Sequence, residues 1–292
     1  MFRKYWPFIL LIIFILGFLG VFKVLKDYQA DQRVRVAKLQ EKAEEVQVTL
    51  LEGLTEREVA AKLEEEGLFK ASEFLNQSKK FDDSSYSLLI NKPANTSLEG
   101  YLFPDTYRFN KGATIDEALT KMLDNFSKRM GSIGVTSKQD FFTIPGFEDL
   151  AVVGGDGKAG MSLYDVLTLA AIVEKESGNS SNMTLAEERA LIAGVFYNRL
   201  NIGQGLESDA TVNYVTGKND PGVSLKDTEV NSLYNTYKYA GLPPGPIGNP
   251  SLGSIQAVLR PTKSDFFYFL HKQPSGEVQF SKTFAEHVQK KQ

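Results

Sequence analysis

Residues 161–178, MSLYDVLTLAAIVEKESG, constrain this chain more than any other stretch. Ser162 and Asp165 have the spacing of a capping box, so a helix is expected to start at Leu163. Gly178 stands where a left-handed residue would stop it. Between them Leu163, Val166, Leu167, Leu169, Ala170, Ala171, Ile172 and Val173 leave no polar face. A helix that is apolar all round is buried, so a core should be built around this one. Yet it ends in Glu174, Lys175 and Glu176. At about 100° per residue, Glu174 continues the Leu163/Leu167/Ala170 side while Glu176 lies beside Leu169 and Ile172. The two carboxylates therefore diverge. A carboxylate at the end of a buried rod has a dedicated partner or a raised pKa, and a raised pKa suits a general acid. A solvated last turn with a Glu174–Lys175 pair is the competing reading, and the segment alone leaves both open.

Composition narrows the chemistry. The 292 residues, enough for two modest domains, carry a net charge of −3 with both signs mixed, which is no footprint for nucleic acid. There is no cysteine, hence no disulfide, thiolate nucleophile or Cys-ligated zinc. His271 and His287 are the only histidines and lack ligand spacing, which argues against a His-based metal site or a Ser–His–Asp triad. Carboxylates, amides, hydroxyls and tyrosines remain, and neither a metal nor a cofactor is expected.

Residues 6–22, WPFILLIIFILGFLGVF, hold no charge between Arg3/Lys4 and Lys23/Lys26. With Tyr5 and a snorkelling Lys23 the run approaches the roughly 20 residues that a membrane span requires. It is longer than a signal-peptide core and no A-x-A-like site follows, so residues 1–26 read as a short N-terminal tip and an uncleaved anchor whose orientation the residues leave open. Positive charges after the run outnumber those before it, but long domains translocate largely regardless of that bias. Residues 27–45 read as a short helical stalk. In 46–95, Val46, Val48 and Leu50 alternate like a strand, Thr55 and Glu58 form a capping box, and Gly67 stops that helix. Ser72 is positioned to cap a second short helix through Phe74 and Leu75. This strand–helix–helix order resembles a LysM-like module, for which plain packing is preferred over sugar binding.

Residues 98–109, LEGYLFPDTYRF, suit a sheet edge or groove wall. Thr114 and Glu117 cap an amphipathic helix to about Met130. Residues 131–160 are Gly-rich loop with a turn of helix near 138–142, and Gly154, Gly155 and Gly157 lack a phosphate-loop lysine. Thr184 and Glu187 cap the next helix, with Ile192, Val195 and Phe196 facing inward. Residues 235–237 and 241–245 make a polar, aromatic, turn-rich surface. A hairpin of 266–270 with 277–280 and a terminal helix over 283–289 complete an α+β fold.

Five motifs stand in order: LEGYLFPDTYRF, AAIVEKESG, FYNRLNIGQGLESDATVNY, YNTYKYAGLPPGPIGNP and FSKTFAEH. Together they resemble the MltG-type (YceG-like) endolytic murein transglycosylases, from about residue 46 to the C-terminus. The resemblance implies a single-pass inner-membrane protein with its catalytic domain, residues 96–292, on the outer side. It implies cleavage of nascent peptidoglycan strands between N-acetylmuramic acid and N-acetylglucosamine, leaving 1,6-anhydro ends. Peptidoglycan synthase or penicillin-binding protein complexes are candidate partners. The family's catalytic Glu precedes Ser or Thr, which selects Glu176, before Ser177, over Glu174. The same match puts Ser177, Tyr214, Asn235, Thr236 and Tyr237 along the glycan groove. Two motifs depart from the family: Asp209-Ala210-Thr211 stands for DPT, and Glu286-His287-Val288 for EHN.

A hydrolytic glycosidase needs two carboxylates, whereas a lytic enzyme needs one because the substrate's N-acetyl and C6 hydroxyl groups supply the rest. A hydrolytic muramidase recruiting Glu99, Glu174 or Asp209, or a catalytically silent wall-binding protein, are the alternative classes.

Overall fold

The computed structural model describes residues 6–43, 45–82, 84–89, 91–94, 96–136, 141–148, 150, 160–178, 180–218 and 222–292, with backbone alone for 6–13, 15 and 37–43. Two units are distinguished: Met1–Gln47 with Arg108–Ala113, and Val48–Tyr107 with Thr114–Gln292.

In the first unit α1 (Trp6–Ala43) is one continuous helix, so the charged stalk extends the apolar run without a break. Its described apolar side chains, among them Phe14, Leu16, Phe18 and Leu19, are exposed. Among the described residues no helix is long and apolar enough to cross a membrane. The side chains of residues 6–13, the first half of the expected anchor, lie outside those described. The alternation at Val46 and Val48 produces β1 (Glu45–Thr49), of which residues to Gln47 belong to this unit, and β1 pairs with β2 (Thr106–Asn110), of which residues from Arg108 belong to it.

The second unit holds α2 (Glu56–Glu65), α3 (Ala71–Ser78), α4 (Ile115–Ser132), α5 (Leu163–Glu176), α6 (Leu185–Asn201), α7 (Asp209–Thr216) and α8 (Leu252–Leu259). The hairpin β3 (Tyr268–His271) and β4 (Val278–Ser281) and the terminal helix α9 (Phe284–Lys291) follow. The class is mixed α and β, mostly helical, with two-stranded sheets. The hairpin is antiparallel, with Tyr268 opposite Ser281 and His271 opposite Val278.

Local chemistry explains most helix starts. The capping boxes at Thr55/Glu58, Thr114/Glu117, Ser162/Asp165 and Thr184/Glu187 all close. Each satisfies orphan N–H groups and contributes about 1 kcal/mol. Two expected signals are overturned. Ser72 caps nothing: α3 starts after Lys70, and the Glu64 carboxylate of α2 accepts the Ala71 N–H at 3.2 Å. Gly178 is not left-handed: Ser177 ends α5 in an extended conformation (φ −81°, ψ 134°), and the Gly178 N–H goes to Glu188 Oε1 at 2.9 Å. The turn expected near 138–142 and the glycines 154, 155 and 157 lie, save for 141 and 142, outside the described residues.

Helix α5 is the centre of the second unit. Every residue from Val166 to Val173 is at most 1% exposed, and α6, α7 and α8 pack around it. Each fully buried Leu, Ile or Val there contributes about 1.5–3 kcal/mol of transfer free energy, offset by the entropy of ordering it. Residues 53–58 are joined to the same body: the Gly53 N–H donates to Asn249 O and the Asn249 N–H to Leu54 O, both at 2.8 Å. Gly248 makes that approach possible, since a Cβ there would sit 2.6 Å from Gly53 O.

Candidate active site

The last turn of α5 separates its two carboxylates. Glu174, its side chain 8% exposed, is tied on both oxygens. Oε1 accepts from Arg189 Nη2 at 2.5 Å. Oε2 accepts from the Ser251 N–H at 3.0 Å, Ser251 Oγ at 2.5 Å and Ser254 Oγ at 2.7 Å. Ser251 is the N-cap of α8, so this carboxylate sits where the helix dipole favours an anion. Its partner is thus Arg189, not Lys175. Ser177 belongs to this structural cluster: its Oγ accepts from Arg189 Nε at 3.2 Å.

Glu176 points elsewhere. It lines a cleft of about 640 Å³ with Arg57, Lys175, Asp209, Tyr214 and Lys218. Its Oε1 accepts from Ser208 Oγ at 2.5 Å. Burial pushes its carboxyl above the ordinary glutamate range; the Ser208 hydrogen bond pulls the other way, the Asp209 charge adds to the rise, and His271 and Arg199 oppose it.

The turn that delivers Ser208 is pinned from several sides. Arg199, 6% exposed, donates from Nη1 to Leu206 O at 2.7 Å and from Nε to Phe267 O at 2.7 Å. Glu207 has φ 51°, a left-handed conformation unusual for a residue with a side chain. Its N–H donates to Thr236 O at 3.2 Å. The Ser208 N–H donates to Thr236 Oγ1 at 3.0 Å.

The remaining expected groove residues separate into two groups. Tyr214 lines the cleft, its hydroxyl donating to Glu99 Oε2 at 3.2 Å and its ring under Arg57 at 5.4 Å. Tyr237 is 41% exposed and donates to Asp209 Oδ1 at 2.6 Å. Asn235 and Thr236, by contrast, are at most 1% exposed and face inward. Asn235 Nδ2 donates to Thr228 O and Val230 O at 2.8 and 2.9 Å, and its Oδ1 accepts the Tyr237 N–H at 3.1 Å. Asn235 and Thr236 thus hold their turn from within, while Tyr214 lines the cleft and Tyr237 is exposed beside Asp209, which also lines it. Behind Tyr214, Glu99 accepts the Glu56 N–H at 2.8 Å at the start of α2. Its burial and the nearby Glu56 carboxylate push Glu99 up to about 8. Among the described residues no three His, Asp or Glu side chains are placed to hold a metal ion.

The sequence motifs did not single out Ser208, Arg199 or the Glu99–Tyr214 pair. A signal for Ser208 was present: Ser followed by Asp, just ahead of an eight-residue helix, is an N-cap pattern.

The model of one known family, the YceG-like family, matches residues 19–292. The chain belongs to the YceG-like family. It is 36% identical over 256 residues to the endolytic murein transglycosylase of Bacillus subtilis (strain 168), covering 84% of this chain and 64% of that protein. It is 35% identical over 210 residues to the endolytic murein transglycosylase of Streptococcus pneumoniae serotype 2, covering 68% of this chain and 34% of that one. The YceG-like chain thus spans less than two thirds of the length of these curated relatives. A crystal structure of a YceG-like protein from Listeria monocytogenes superposes with TM-score 0.68 at 32% identity, covering 84% of this chain and 75% of that one.

Proposed function

We propose that this YceG-like chain is an endolytic peptidoglycan lytic transglycosylase with Glu176 as its single acid–base residue. One observation carries the proposal: a carboxyl at the end of a helix buried from Val166 to Val173 lines the cleft and is held toward its neutral form by burial. The names of the curated relatives support the substrate class.

Neutral Glu176 gives its proton to the glycosidic oxygen between N-acetylmuramic acid and N-acetylglucosamine as the C1–O bond breaks. The substrate's N-acetyl carbonyl stabilises the cationic C1, as an oxazolinium or an oxocarbenium-like ion. The C6 hydroxyl then attacks C1 and returns a proton to the Glu176 carboxylate, closing the 1,6-anhydro ring. No water is consumed. Tyr214 and Tyr237 would orient the sugar over the carboxyl, with Asn235 and Thr236 holding that wall and Ser177 held in the cluster behind it. The three candidates for a second carboxylate are occupied otherwise: Glu174 by Arg189 and α8, Glu99 by the start of α2, and Asp209 by the Tyr237 hydroxyl. That favours one carboxylate over a hydrolytic pair.

The wider setting rests on sequence. Residues 6–22 would serve as a single-pass anchor, with the rest of the chain outside the cytoplasmic membrane and nascent glycan strands and their synthase complexes within reach. The β1–α2–α3 segment would be the LysM-like module, and its Arg57 and Thr55 on the cleft support a role in packing the site. A C-terminal reporter active only outside the cytoplasm would agree with the anchor; one active only in the cytoplasm would end it.

Mass spectrometry of muropeptides released from purified peptidoglycan by the full chain tests the activity. Anhydro ends support it, reducing ends mean hydrolysis, and no release means a binding protein.

A further inference from the structure

The turn between α6 and α7 carries a serine whose hydroxyl is spent in an unusual way. Ser208 is the N-cap of α7, where a serine ordinarily turns its oxygen to the N–H of the second or third helical residue. Here no side-chain capping bond forms, and the hydroxyl goes instead to Glu176 Oε1 at 2.5 Å. A capping bond contributes about 1 kcal/mol, so diverting it calls for a reason.

Everything around Ser208 fixes that diversion. The residue is 2% exposed. Its N–H is held by Thr236 Oγ1, and its carbonyl accepts Thr211 Oγ1 at 2.7 Å. Thr211 and Thr236 are themselves joined at 2.9 Å. The left-handed Glu207 immediately before it sets the direction of the chain, and the buried Arg199 holds Leu206 O. Left-handed non-glycine residues persist only where their surroundings over-determine them, and they cluster at working sites.

Building on the lytic reading, we infer that Ser208 is the positioning residue of the general acid: its hydroxyl occupies Glu176 Oε1 and so assigns the transferable proton to Oε2. A carboxyl free to rotate would spread its proton over two oxygens and several directions. One donor from a rigid turn leaves a single protonated oxygen to meet the glycosidic bond. The same hydroxyl serves the return step. Once the proton has left, Ser208 donates to a carboxylate, and such charge-assisted bonds are the stronger kind. It thereby limits how far burial and the Asp209 charge lift the group, alongside His271 and Arg199. Tyr237 lies within electrostatic reach of the same carboxyl, with its hydroxyl committed to Asp209.

The test compares the full chain with Ser208→Ala and Ser208→Cys, following anhydro-product formation on purified glycan strands from pH 4 to 9, with melting curves for each. Wild-type anhydro products establish the lytic reading independently of this inference. Given them, kcat for Ser208→Ala should fall about 10–100-fold, the effect of removing a hydrogen bond to a charged group, with KM nearly unchanged. The alkaline limb of the rate profile should move to higher pH, because the carboxylate loses a stabilising donor. Ser208→Cys, almost the same size but a poor donor, should show the same displacement even if the alanine variant melts early. A limb that stays in place in both variants would reduce Ser208 to packing and overturn the inference, whatever the rate. Unchanged kcat in both would do the same.

Discussion

Glu174 and Glu176, two residues apart at the end of α5, present their carboxylates to opposite surroundings: Arg189 Nη2 at 2.5 Å for the first, Ser208 Oγ at 2.5 Å for the second. The 200° between them on a helix makes this division possible. One faces a cation and the N-terminus of α8, the other a neutral hydroxyl and an open cleft. The first is held in an ion pair with Arg189, and burial discourages the ionised form of the second.

Glu174 should therefore behave as a structural residue. Glu174→Ala leaves Arg189, 7% exposed, with only the longer 3.8 Å contact to the exposed Glu52 and removes the acceptor of Ser251 and Ser254. Breaking a buried pair from one side costs about 3–5 kcal/mol, so urea unfolding should show a loss of that size. A variant as stable as the parent would mean that the cluster carries no stability.

Asn235 and Tyr237, neighbours in the YNTY motif, should respond differently. Asn235→Ala orphans the carbonyls of Thr228 and Val230 and the Tyr237 N–H, at a cost of about 1–3 kcal/mol, and activity should fall in step with the melting temperature. The exposed Tyr237→Ala should keep its melting temperature and lose turnover. The reverse pattern would exchange the roles given to them.

Glu99 gives stability a pH dependence of known sign. Its pKa rises from 4.5 to about 8 on folding. Between those values the folded chain keeps a proton that the unfolded chain has released, so stability declines as pH rises through the window, by up to about 1.4 kcal/mol per unit. Glu99→Gln keeps an acceptor for the Glu56 N–H and removes the titration. Unfolding free energies at pH 5 and 8 should differ less in the variant than in the parent; an equal difference would place the titration elsewhere.

These residues also mark how far sequence reaches. The capping boxes, the buried α5, the amphipathic α4 and the C-terminal hairpin were legible because each rests on local spacing. The divergence of the two glutamates followed from helix geometry alone, while the choice of Glu176 came from family resemblance. What escaped was long-range: Arg189 meets Glu174 from another helix, Asn249 reaches Leu54 across 195 positions, and Asn235 turns inward within a run that reads as surface. Ser72 failed as a cap because Glu64 of the preceding helix met the need first. Helices α7 and α8 went unseen because neither has a capping box and each is only eight residues long.

The most direct test of Glu176 as the acid–base residue is the rate of anhydro-muropeptide release by Glu176→Gln beside the parent, read by mass spectrometry with melting curves. Glutamine keeps the size and the Ser208 hydrogen bond but cannot exchange a proton. The rate should fall at least ~10²–10⁴-fold, with the melting temperature equal or higher because a buried ionisable group has been removed. Release of anhydro ends at the parental rate by Glu176→Gln would contradict the assignment.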